Sequence, residues 1–513
     1  ISLQGNFART DLAGLQGGGA TVQVVNSGNT GLDLGGGTLA LTAASGSLTT
    51  GSNGRIRNGT VQTSGGATFN LTTNSILDNL VLDTDASATN ATVRIENSLG
   101  IAGGRRLTLA NSDLLFQTTA GQSLYRSGGS GNAEVFLTGS SSDQIYYNVN
   151  SGSLTVGNGI WIHGNQTGYV YSNASGGSLI NNGLIDADTA GKALNVGYSN
   201  AFTNGPTGVL RASGGNLFVG SSFSNTTWTN QNTSLGSIDA SGSGSINLQG
   251  NFALADLTGL QGGGATLQVV NSGSTGLNLG GGTLALNATT GSLAIGSSGR
   301  IRNGTVQTSG GAAFGLTTNS ILDNLVLDTD ASATNATVRV ENNLGIAGGR
   351  RLTLNNSDLL FQTTAGQSLY RSGGSGNAEV YLSGSSSDQI YYNVNSGSLT
   401  IGSGIRIHGD QTGYVYSNSA GGSLINNGLI DADTAGKALN VGYSNTFING
   451  PTGVLRASGG NLFVGSSFSN TAWSNQNTNL GSIDASASGN ISLQGNFTLT
   501  DLTGLQGGAT TVQ

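Results

Sequence analysis

The chain has 513 residues, 88 of them Gly, with no Cys or Met, 8% charged residues and a formal net charge of −7. Disulfides, thiolate chemistry and cysteine-based metal sites are excluded, and an acidic chain without a basic face argues against a nucleic-acid partner. Low charge and abundant Gly make disorder the first alternative. Against it stand 36% apolar residues in Leu-x-Val and Ile-x-Ile alternations, the pattern of half-buried strands.

In chain order, ISLQGNF at Ile1 returns as INLQGNF from Ile246 and as ISLQGNF from Ile491, each time at an offset of 245. The intervening runs return at the same offset without insertion or deletion. Roughly six positions in seven match between copies, which marks a repeat array. The units read as 1–245, 246–490 and the start of a third over 491–513. The chain opens without Met and stops early in that third copy, so it reads as an excerpt of a longer array.

No window keeps a helical apolar period, because Gly, Asn, Ser and Thr interrupt each one. Short strand-like runs follow one another instead: ATVQVVN, GTLALTA, GRIRNGTVQT, DNLVLDT, ATVRIEN, RRLTLAN, AEVFLTG, GIWIHGN, GYVYSN, KALNVGY and NLFVGSS. Turn residues separate them, and Asn-Gly pairs such as Asn58-Gly59 fit tight turns. Equivalent leucines recur at a nearly constant interval, from Leu154 to Leu179 and from Leu194 to Leu217. These intervals predict an all-β fold, a parallel β-solenoid (β-helix) of about 20–25 residues per coil, advancing ~50–60 Å per unit over about 10–12 coils. No Gly/Pro-rich linker separates the copies around Ser245, which predicts one continuous rod of tandem 245-residue repeats, each stabilising its neighbours. No stretch approaches the ~18 apolar residues of a membrane span.

The copies themselves assign the faces. Trp161 becomes Arg406, while Ile160 and Ile162 persist as Ile405 and Ile407. A core position does not accept both Trp and Arg, so the isoleucines point inward. In ATVRIEN, Val93 and Ile95 point inward and Thr92, Arg94 and Glu96 outward. Trp228 and Trp473 hold equivalent places, as packing anchors would.

Candidate sites come in pairs. The Asp-x-Asp turns at Asp83 and Asp85, Asp186 and Asp188, Asp328 and Asp330, and Asp431 and Asp433 are the calcium (Ca2+) candidates, since paired carboxylates beside carbonyls suit that ion. The alternative is Asp accepting backbone N–H bonds within turns. No other cofactor is expected. His163 and His408, one per unit, read as surface residues. Trp161, Tyr169, Tyr171, Tyr414 and Tyr416 are the glycan-binding candidates, able to stack on sugar rings; the alternative is an aromatic ladder that stiffens the rod. Arg94, Glu96, Arg105 and Arg106 read as a solvated face of offsetting charges. Each of these four charged residues is copied with the whole unit, which points away from an enzyme. Stacked Asn side chains at equivalent positions are expected to form ladders down the coils.

The runs GGSLINNGLIDADTAGKALNVG, TNGPTGVLRASGGNLFVG, GLDLGGGTLAL and GRIRNGTVQTSGG resemble the phrasing of very large, repetitive bacterial surface and exported proteins of the filamentous-haemagglutinin and autotransporter-adhesin kind. The resemblance covers nearly the whole chain. It implies a right-handed β-helix exported to the cell exterior as a stalk, adhesin or matrix fibre. The expected function is thus a structural extracellular fibre whose partners are further copies of the repeat, in the same chain or laterally. The alternative is an adhesin stalk that binds surface glycans.

Overall fold

A computed structural model describes residues 1–17, 21–117, 121–198, 201–223, 225–362, 366–418, 421–443, 446–466, 471–508 and 512–513. Among these, helix is confined to three short 3-10 turns, Arg9–Leu12, Leu254–Leu257 and Leu499–Leu502. The remaining regular structure is strand, paired in parallel from coil to coil, and the chain is an all-β parallel β-solenoid. It divides into two compact units, one of Ile1–Leu267 with Ser272–Ser274, the other of Gln268–Asn271 with Thr275–Gln513. No helix among the described residues is long and apolar enough to cross a membrane.

Within the first unit, a coil contributes one strand to each of three sheets. Arg106–Ala110 pairs with Ala133–Thr138 in the first sheet, Asp113–Phe116 with Asp143–Tyr147 in the second, and Gln122–Arg126 with Ser153–Val156 in the third. The first sheet has twelve strands. At ~4.8 Å per strand they span about 53 Å.

Side-chain alternation fills the interior with columns. Leu107, Val135, Ile162, Ile185, Leu210 and Ile238 stand in register in the first sheet, all fully buried. Val93, Leu114, Ile145, Val170, Val196 and Val219 do the same in the second. Burying one such side chain stabilises the fold by about 1.5–3 kcal/mol. The second unit builds the matching column from Leu352, Val380, Ile407, Ile430, Leu455 and Ile483. Ile160, Ile162, Ile405 and Ile407 are buried, as are Val93 and Ile95, while Trp161, Arg406, Thr92, Arg94 and Glu96 are half-buried on the outside.

Coil length varies more than the leucine spacing implies. A short coil brings Phe69 round to face Ala86, whereas a much longer one separates Leu107 from its partner Val135. A slip of one residue would turn a strand's apolar set outward, so register is held and the turns absorb the difference.

Two corner devices follow from the asparagines. Arg55–Thr63, Ile76–Asp83 and Thr92–Ile101 each run from the second sheet into the third without a break. Each bends at an Asn with positive φ: Asn58 (52°), Asn79 (49°) and Asn97 (65°). Asn enters the left-handed region more readily than other side-chain-bearing residues, so Asn58-Gly59 marks a corner between sheets. Further along the third sheet, the inward column changes from Leu124 and Val156 to Asn181, Asn204 and Asn230. Asn181 Nδ2 donates to Asn204 Oδ1 at 2.8 Å, and Asn204 Nδ2 to Asn230 Oδ1 at 2.9 Å. Asn230 Nδ2 then donates to Thr258 O at 3.0 Å. Buried amides are tolerated because each has partners above and below. Asn426, Asn449 and Asn475 repeat the ladder in the second unit.

Trp228, two residues before Asn230 on the same strand, continues the neighbouring inward column after Phe202. Its ring is fully buried, its Nε1 donates to Gln249 O at 2.9 Å, and it stacks on Phe252 at 4.5 Å. Trp473 occupies the same role, donating to Gln494 O at 3.0 Å.

Candidate functional site

The outer face of the first sheet gathers most of the charged candidates. Register places Glu134 beside Arg106 and Trp161, and His163 beside Phe136. His163 Nδ1 donates to Asp188 Oδ2 at 2.8 Å, and its Nε2 lies 3.7 Å from Glu134 Oε2. Trp161 lies flat on the imidazole, with centroids 3.7 Å apart and planes 7° from parallel, and Phe136 meets it edge-on at 5.2 Å. The result corrects the reading of His163 as a surface residue: it is only 5% exposed, as is His408. Outward phase alone did not expose it, because neighbouring coils bring Phe136, Glu134 and Asp188 to the imidazole and Trp161, two residues earlier on the same strand, lies over it.

Electrostatics explain why these groups sit together. Burial pushes the Asp188 carboxyl up, but His163, the Gly164 N–H and the Thr189 hydroxyl together hold the group below its ordinary value. Asp186, fully buried in its side chain, accepts from Arg211 Nη2 at 2.6 Å and from Ser213 Oγ at 2.8 Å. Arg106 holds Glu134 at 2.6 Å and lies over the Phe136 ring at 4.8 Å. The cavity bounded by His163, Gln166, Asp186, Asp188 and Lys192 is only about 10 Å3, room for one water at most.

The other calcium candidates are also engaged. Asp83 accepts from Arg105 Nε at 3.1 Å and from Gln62 Nε2 at 2.6 Å, and Asp85 accepts the Arg106 backbone N–H at 2.9 Å. Asp328 pairs with Arg350 and Asp330 accepts the Arg351 N–H. Asp431 accepts from Arg456 and Arg406, and Asp433 from His408 and Arg406. Asp186 and Asp188 share the His163 cavity; Asp83 and Asp85 do not line it. Among the described residues no group of three or more His, Cys, Asp or Glu is placed to hold a metal ion.

Ion pairs throughout the described residues bridge coils. Arg55 binds Glu96 two coils away and Asp78 one coil away, Arg57 binds Asp33 at 2.8 Å, and Arg105 and Arg106 find partners on neighbouring coils. The pairing of Arg55, Arg105 and Arg106 with specific carboxylates goes beyond a solvated face of offsetting charge, and only the coil-to-coil register reveals it.

The glycan candidates separate. Trp161 belongs to the first sheet and is covered by its stack on His163. Tyr169 and Tyr171 lie on the second sheet, where Gly168–Ser172 pairs with Asp143–Tyr147. Tyr171 stacks on Tyr146 at 5.6 Å and donates to Gln144 Oε1 at 2.5 Å; burial pushes its hydroxyl up to about 12. In the second unit Tyr416 stacks on Tyr391 at 5.6 Å and donates to Gln389 Oε1 at 2.6 Å. These stacks form the cross-strand ladder weighed as the structural alternative. Sequence reasoning missed Tyr198, which turns the corner after Ala193–Val196 and meets Tyr169 at 6.0 Å and Tyr171 at 6.4 Å, edge to face. Its signal was present: it stands in KALNVGYSN, about one coil after Tyr169.

Stacked parallel coils, inward aliphatic columns and coil-bridging polar side chains define the class: this is a β-solenoid protein. Compared with family models, curated proteins and solved structures, the chain matched none.

Proposed function

We propose that this chain is a structural, non-catalytic segment of an extracellular bacterial fibre, in which stacked coils supply length and stiffness and further copies of the repeat are the partners. The observation that carries this reading is the use made of charge. The ion pairs found among the described residues join side chains one or two coils apart in the stack. Scarce charges are thereby committed to holding coil on coil, along with buried Asn ladders, and the pattern recurs in each unit. The resemblance to repetitive exported proteins supports the bacterial and extracellular setting, with the handedness it implies.

Cryo-electron microscopy of material sheared from the native cell surface tests the reading. Long unbranched fibres with a layer spacing near ~4.8 Å are expected. Short rods that end in a distinct tip would make the chain a stalk and remove the fibre role.

A further inference from the structure

We infer that the corner between the second and third sheets of each unit is a binding site for a neutral polysaccharide. This goes beyond the fibre reading, which needs no ligand. In the first unit the site is an open depression of about 430 Å3 lined by Ser142, Gln144, Tyr169, Tyr171, Asn173 and Tyr198, a volume in the range of small-ligand sites.

Three observations select the ligand. The aromatic walls are nearly perpendicular, since Tyr198 stands at 77° to Tyr169 and 81° to Tyr171. A pyranose has a flat C–H face for one ring and an equatorial hydroxyl edge for its surroundings, which suits such a corner. The polar lining consists of hydroxyls and amides without a charged side chain, so a phosphate or uronate would find no cation there. Gln144 Oε1 accepts from the Tyr171 hydroxyl, and a side-chain amide also carries two N–H donors, which suit sugar hydroxyls as acceptors.

The apolar surface continues along the coil stack rather than ending at one ring. Tyr198 is 38% exposed, and Phe223, at the same corner of the next coil, is 88% exposed with its ring 6.4 Å away. An extended chain with successive sugar faces fits that ridge better than a monosaccharide. The second unit repeats the tyrosine corner: Tyr414 meets Tyr443 edge to face at 6.2 Å, Tyr416 donates to Gln389, and Tyr443 is 42% exposed. Gly197 and Gly442 precede Tyr198 and Tyr443 with φ near +67° and +66°. A Cβ at Gly197 would lie 2.7 Å from the Phe202 Cβ, so the tight turn that presents Tyr198 requires glycine.

Native affinity electrophoresis of the 513-residue chain in gels containing galactomannan, mixed-linkage β-glucan or arabinoxylan, with alginate as the charged control, tests the site. Retardation by at least one neutral polymer and none by alginate is expected. Tyr198→Ala with Tyr443→Ala should weaken it about tenfold or more, while Tyr198→Trp with Tyr443→Trp retains it. Circular dichroism of the alanine variant should be unchanged, because both side chains are substantially exposed. No retardation in any neutral gel, equal retardation by alginate, or full binding by the alanine variant each overturns the proposal. Fibre images of the alanine variant report separately on the structural role, so either reading can fail alone.

Discussion

The neighbourhoods of His163 and His408 solve one problem in two ways. Both imidazoles donate to an aspartate at 2.8 Å, and both are 5% exposed. Over His163 lies the Trp161 ring; in the second unit Arg406 instead reaches Asp431 and Asp433, at 3.0 Å each. Phe136 is likewise exchanged for Tyr381, yet Arg351 lies over that ring at 4.8 Å as Arg106 does over Phe136. Beneath this variable cover, Ile160 with Ile162 and Ile405 with Ile407 are unchanged. Cover chemistry is interchangeable because the outer face offers both flat rings and carboxylates; the interior column offers only apolar volume.

The comparison can be broken most severely from inside. Asn204→Leu would take the close acceptor from the buried Asn181 amide and one of two donors from Asn230 Oδ1, which keeps the Asn232 N–H, for a loss of about 1–3 kcal/mol. Hydrogen exchange should quicken across residues 178–230 and stay unchanged across 423–475, since solenoid stability is nearly local. Equal quickening in both copies would contradict that locality.

A smaller effect is expected at Asp143 and Asp388, which are fully buried at a strand start. Burial pushes each carboxyl up to about 6, against the opposing N–H bonds from Ser112 and Ser357 respectively. A raised carboxyl favours the protonated folded state, so stability should fall as pH rises from about 4 through 6 and then level off. Asp143→Asn should stabilise by about 2 kcal/mol at pH 7.5 and little at pH 4. Denaturant melts at the two pH values check both the size and the sign.

Cover swaps should cost less. Arg406→Ala leaves Asp431 paired with Arg456 and Asp433 with His408, for a loss of about 1 kcal/mol or less. Trp161→Arg should be nearly neutral, within about 0.5 kcal/mol, because Asp186 and Asp188 occupy the positions Asp431 and Asp433 hold. A large loss on that swap would show that the stack on His163 is not replaceable. The smallest expected response is to calcium: with its aspartates engaged by Arg, His and backbone N–H groups, the chain should melt at the same temperature in chelator and in calcium. A chelator-dependent drop that Asp186→Asn abolishes would assign the ion to that turn.

Much of this was legible in the sequence because a strand's side-chain period is two and a solenoid repeats its coil. Those two facts expose Ile160 and Ile162 as interior and Trp161 as exterior without coordinates. The partners of a charge were not legible, because register between coils depends on turn lengths that range from tight to long. Hence the Arg55 pair with Glu96, two coils distant, and the cover over His163 emerge only in the fold. Tyr198 was missed for a related reason: it stands in a turn after its strand, where alternation no longer says which way a side chain points.

The uneven coils have a practical side. The turn over residues 128–132, in the long coil between Leu107 and Val135, is wholly exposed, while the strands flanking it keep their partners. Foreign peptides inserted there would be carried at a fixed address on the stack without re-threading the coil. Copying the unit would then copy the address, which makes each unit a scaffold that carries its own display site.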